Sequence, residues 1–142
     1  AVFFLLLIVI RYFFNTFAPK IRFMEDHTQL RLQWNEIVER LSSMFTEGEI
    51  LDVDAIIYLI GIQELGQLGR KYEKDEKVDL MHIAICKLLE PFGYYKYQFT
   101  DPDGWPHYKL VKELPALKPG EQTILIKKAI IQYFVERDFF EN

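Results

Sequence analysis

The sequence predicts a mainly α-helical protein with one β-hairpin, preceded by an N-terminal apolar membrane helix. Three observations predict it. The first eighteen residues are apolar almost throughout. Apolar residues then recur at three- and four-residue spacing, the mark of helices with one buried face. A single stretch, Tyr94 to Lys112, switches to strand-like alternation around a Pro/Gly turn.

The N-terminal run contains Phe3, Phe4, Leu5, Leu6, Leu7, Ile8, Val9 and Ile10, with Arg11 as its one interruption. As a helix, eighteen residues span about 27 Å at ~1.5 Å each, close to the ~30 Å hydrocarbon core of a bilayer. An arginine at the bilayer centre costs ~2.5–3.5 kcal/mol on insertion scales. Further apolar residues before Ala1 would move Arg11 toward one face, where it can reach the headgroups. A cleaved secretory signal fits poorly, because no basic residues open the run and no small-x-small site lies near Ala18. The competing expectation is a buried core helix or strand, since Val, Phe and Ile suit one. Arg11, Lys20 and Arg22 lie within or after the end of the run and the first acid is Glu25. Basic residues flanking a span stay on the cytoplasmic side. The expected organisation is a membrane helix over residues 1–18, a juxtamembrane linker over 19–26, and one cytoplasmic α+β domain over 27–142.

Half of the 142 residues are hydrophobic and 15% are aromatic, a composition that can fill a core and excludes disorder. The formal net charge of −4 disfavours non-specific wrapping of nucleic acid, which needs clustered Lys and Arg. With one cysteine, Cys86, the chain makes no internal disulfide.

Pro19 is expected to break a helix arriving from the membrane. Asp26 or Thr28 then caps a helix to about Phe45, with Leu30, Trp34, Ile37, Val38, Leu41 and Phe45 on one face. Asp52 or Asp54 caps the next, Val53 to about Gln67, which is apolar all round and therefore central. The charged stretch Arg70 to Lys77 forms a loop or helix start. Val78, Met81, Ile85, Leu88 and Phe92 stripe a third helix that ends near Glu90, before Pro91 and Gly93. In the hairpin, Asp101-Pro102-Asp103-Gly104 has the residues of a type I turn. That turn pairs Thr100 with Trp105, Phe99 with Pro106, Tyr97 with Tyr108 and Tyr95 with Leu110. The last helix starts at Pro119 and runs to about Arg137.

No motif assembles chemistry. Asp101 to Gly104 begins like a calcium loop, but Lys109 and Leu110 stand near the place of the required bidentate Glu. His82 and Cys86, four apart on a helix, could share a zinc, yet no second pair completes a tetrahedral set. Gly61, Gly66 and Gly69 lack the following Gly-Lys-Ser/Thr of a phosphate loop. Asp52 and Asp54 are more simply helix caps than a carboxylate pair. No catalytic, cofactor or metal residue is therefore assigned.

One surface invites a partner. Lys96, Trp105, His107 and Lys109 are expected on the hairpin's outer face. Lys96 lies opposite Lys109, a mildly unfavourable pairing that an anionic partner would relieve.

The order helix, helix, helix, hairpin, helix resembles a winged-helix domain. The resemblance implies that the helix before the hairpin, Val78 to Glu90, faces a DNA groove. Its polar face offers Asp79, His82, Lys87 and Glu90 without any Arg, so nucleic acid is a disfavoured partner. The expected function is a non-enzymatic, membrane-anchored accessory or scaffold subunit of a membrane protein complex. Its partners are membrane lipid and other subunits of that complex, with no small-molecule substrate and no cofactor. The alternative is a soluble winged-helix nucleic-acid-binding regulator whose first segment is buried; an enzyme ranks third.

Overall fold

The computed structural model describes residues 18–67 and 69–141, with side chains from residue 27. The expected membrane helix, Phe3 to Arg11 included, lies outside the described residues. Among the described residues, four helices and one hairpin follow in the predicted order: α1 (Ala18–Phe45), α2 (Val53–Leu65), α3 (Lys74–Leu89), β1 (Tyr95–Thr100), β2 (Pro106–Leu110) and α4 (Pro119–Glu136). No described helix is long and apolar enough to cross a membrane.

The chain divides into two compact units, Ala1–Glu36 and Ile37–Asn142. In the first, the described residues are helical from Ala18, including 20–26, where a break and linker were expected. A proline obstructs the turn before it and leaves the turn after it free, so Pro19 does not stop the helix that follows. Trp34 is buried and Leu30 half-buried, as the stripe predicts.

The second unit carries the core. Ile37 and Leu41 of α1 are buried, whereas Phe45, expected on the same face, is 57% exposed in the last turn. The Ser42 hydroxyl accepts the amide of Leu51 at 3.0 Å and so fixes the passage into α2. Asp52 caps α2, its Oδ1 accepting from Ala55 N at 2.8 Å. Gly66 closes the helix in the left-handed conformation at φ 73°, its N–H bonded to Ile62 O. Ile56, Ile57 and Ile60 are buried, as an all-round apolar helix requires.

α2 lies directly against α3 at Gly61. A Cβ placed there would stand 2.3 Å from the Leu80 carbonyl oxygen. Only glycine permits backbones that close. This contact selects the buried face of α3: Leu80, Ile83, Ala84, Cys86, Leu88 and Leu89. The predicted stripe is thereby corrected. Leu88 belongs to the core, Met81 and Ile85 are half-buried, and Val78 is 63% exposed. α3 also begins earlier than the stripe suggested. The Glu76 carboxylate reaches back to Glu73 N, and Arg70 pairs with Glu76, so the charged stretch is the helix start.

α4 begins at Pro119 as predicted, with Glu121 accepting from Lys118 N at 3.3 Å. Ala129, Ile130, Ile131 and Tyr133 are buried; Ile124 and Val135 are exposed, so its core face is narrower than expected. The Tyr133 hydroxyl donates to Glu64 of α2 at 2.7 Å, and Arg137 holds the same carboxylate at 3.1 Å.

Candidate functional site

The hairpin is antiparallel, with Tyr95 opposite Leu110, Lys96 opposite Lys109 and Tyr97 opposite Tyr108, as predicted. Nearer the turn the register changes. Phe99 faces His107 and Thr100 faces Pro106, so the expected pairings of Phe99 with Pro106 and Thr100 with Trp105 are replaced. A bulge between Tyr97 and Phe99 absorbs the extra residue.

The turn explains the shift. Gly104 N donates to Asp101 O at 3.0 Å, and Gly104 takes φ 91°. A type I turn followed by a left-handed glycine adds one residue to the loop. Trp105 is thereby placed in the loop, closed by Asp101 N donating to Trp105 O at 2.9 Å. Asp101 organises the whole tip. Its Oδ1 accepts from Asp103 N and Trp105 N, each at 3.0 Å, and its Oδ2 lies 2.8 Å from His107 Nε2. These contacts, His107 foremost, hold the Asp101 carboxyl below the usual carboxylate range. Turn propensity alone does not give Asp101 this role; its spacing to His107, the second residue of β2, is the signal in the sequence.

The four residues expected on one outer face do not share one environment. Lys96 and Lys109 are exposed and directly opposed. His107 stacks on Phe99, ring centroids 4.5 Å apart. Trp105 turns to the interior instead: it is partly buried and packs on the cluster of Leu65, Tyr72, Leu80 and Ile83. The premise that Trp105 stands beside Lys96 and Lys109 is therefore corrected, because the added loop residue changes where its side chain points.

The expected apolar face is also only half covered. Tyr95 meets His82 edge-on at 6.5 Å, and burial pushes the Tyr108 hydroxyl's pKa up. Yet Leu110 is 48% and Tyr97 45% exposed, and the bulge carries Phe99, expected on this face, to the other one, where it pairs with His107 and is 55% exposed. α3 is one helix wide and covers one end of that face.

Two contacts position the hairpin. Glu90, just after α3, accepts the amide of Tyr97 at 3.0 Å beside the bulge. Gln67, just after α2, donates to Asp103 O at 3.0 Å. Between the hairpin and α3 lies a cleft of about 400 Å³, walled by Asp79 and His82 on one side and Asp101, Trp105, His107 and Tyr108 on the other.

His82 and Cys86 do meet, with Sγ 3.6 Å from Nε2. The thiol is fully buried, and burial pushes its pKa up to about 11, so it stays protonated and unreactive. No group of three His, Cys, Asp or Glu side chains converges on a metal position among the described residues. Asp52 is a cap, as expected. Gly61 serves helix contact, and Gly66 and Gly69 take positive φ at the end of α2 and beyond. The chain matches no protein-family model, no curated protein and no solved structure.

Proposed function

We propose that the chain is a non-enzymatic, membrane-anchored accessory subunit whose cytoplasmic domain docks other subunits of a membrane complex. The hairpin carries the docking part of this reading. Phe99 stays open to solvent on the face that carries the opposed Lys96 and Lys109, and Tyr97 and Leu110 stay open on the other face of the same two strands. An exposed apolar patch edged by charge is the composition of a partner surface. Two close lysines select a partner with acidic groups at the rim, and they act mainly on the rate of encounter. Trp105 is withdrawn from this patch, and its role is to hold the hairpin against α3. The anchor part rests on the apolar run of residues 1–18, interrupted by Arg11 and followed by Lys20 and Arg22.

The order of elements also supports a winged-helix arrangement, and modules of that kind serve as protein-contact domains. Nucleic-acid binding is the second reading, favoured by that order alone. Against it, the exposed side of α3 mixes Asp75 and Asp79 with Lys74 and Lys77, and acids there repel phosphate.

Carbonate washing of membranes tests the anchor: the protein is expected in the pellet, and quantitative release overturns that half. Affinity capture from mild detergent tests the docking. The double variant Phe99→Ser, Leu110→Ser is expected to lose a co-purifying subunit that the parent chain retains. Undiminished capture by the variant overturns the assignment of the hairpin as the contact.

A further inference from the structure

The cleft between α3 and the hairpin is distinct from the exposed hairpin patch, and its chemistry is different. Its volume of about 400 Å³ lies in the range of small-molecule sites. Two carboxylates, Asp79 and Asp101, contribute to the wall, and no Lys or Arg does. Asp101 is committed, with Oδ1 on two backbone amides and Oδ2 on His107. Asp79 is exposed, and its carboxylate has no hydrogen bond or ion pair among the described residues. It stands on the sixth residue of α3, one turn before His82, so both reach the same side of the helix. The remaining wall is mostly aromatic: Trp105, Tyr108 and the imidazoles of His82 and His107, with Ile83 and Pro106 completing it.

Two carboxylates with no Lys or Arg beside them disfavour an anionic occupant. A metal ion lacks a third ligand, since no three His, Cys, Asp or Glu side chains converge among the described residues. Aromatic walls with a carboxylate are the recognition chemistry of organic ammonium groups. The rings attract the cation through their quadrupoles, and the carboxylate supplies the opposite charge. We propose that this cleft binds an alkylammonium group, with Asp79 as its counter-charge and Trp105 and Tyr108 as its aromatic wall. The group comes either from a free small cation or from a lysine side chain presented by a polypeptide. This proposal stands independently of the docking role of the hairpin's exposed face.

The test uses the full chain in nonionic detergent, observed through its two tryptophan indole N–H resonances. Choline chloride and N-acetyl-lysine methylamide are titrated separately, against sodium chloride at equal ionic strength. At least one ammonium probe is expected to shift the Trp105 indole saturably, while Trp34, on α1, serves as the internal control. Asp79→Asn is expected to weaken that binding about tenfold, the worth of one charge-assisted hydrogen bond. Asp79→Glu should restore it, and the melting temperature should not move, since the side chain is exposed. Tighter binding of the lysine probe assigns the site to a polypeptide partner; tighter binding of choline assigns it to a free quaternary amine. Absence of a saturable Trp105 shift with both probes overturns the proposal, as does unchanged affinity in Asp79→Asn.

Discussion

α3 is contacted by α2 on one side and by the hairpin on another, and the two contacts are built by opposite means. The α2 contact brings backbone against backbone at Gly61, with isoleucines and leucines closing around it. Its strength is distributed over many buried atoms and tolerates no added volume. The hairpin contact depends on separate points: Trp105 on the core cluster, Glu90 on Tyr97 N, and Gln67 on Asp103 O. Tyr95 and Tyr108 are partly covered, and the other strand residues between these points are mostly exposed. A joint of the first kind holds the fold together. One of the second kind presents a surface and leaves a cleft beneath it.

The sharpest way to break this comparison is Gly61→Leu. The new side chain meets the Leu80 carbonyl, and backbone cannot step aside without parting the helices. The expected loss is about 3 kcal/mol, read from the urea midpoint. Gly69→Leu is the matched control: its φ of 81° strains a side chain, but open space surrounds it. Its cost is therefore expected at ~1 kcal/mol. Equal losses would place Gly61 away from the α2–α3 contact.

Trp105→Ala comes next. The indole packs on Leu65, Tyr72, Leu80 and Ile83, so its removal is expected to cost about 2 kcal/mol of stability. A variant with unchanged stability and lost partner binding would return Trp105 to the outer face.

Tyr133→Phe removes the hydroxyl that donates to Glu64 across α2 and α4. Arg137 still holds that carboxylate, so the expected loss is ~1 kcal/mol in the same urea assay. The smallest effect concerns acid. Hydrogen bonds from His107 and the tip's backbone depress the Asp101 pKa in the folded chain. A depressed carboxyl stabilises the fold above its unfolded value, and the contribution is lost as pH falls through the folded value. Below about pH 4, the ordinary carboxylate range, protection of the Asp103 and Trp105 amides relative to the unfolded chain should fall before that of α2 or α3. Simultaneous loss of protection would show the hairpin tip and the helix core melting as one unit.

The face of α3 shows where sequence reading reaches its limit. Val78, Met81, Ile85 and Leu88 fit a helical stripe, and so do Leu80, Ile83, Ala84 and Leu88. Periodicity cannot choose between two apolar stripes on one helix. The choice is made by Gly61, nineteen positions before Leu80, because only there can another backbone approach. The cleft was hidden for the same reason. Asp79 and His82 are near neighbours in sequence, but Trp105 and His107 reach them only through the hairpin's packing on α3.

Signals that act within a few residues were determined by the sequence alone. An Asp cap at residue 52 or 54, Pro119 at a helix start, the end of α2 near Gly66, the hairpin and its Lys96–Lys109 pairing all follow from local chemistry. The orientation of Trp105 was decided by the tertiary structure. The left-handed Gly104 lengthens the loop, the bulge beside Gln98 takes up the extra residue, and the indole gains more from the core than from water. Turn propensity and strand alternation are properties of neighbours. Burial belongs to the assembled fold, because it depends on which distant surface is there to receive the side chain.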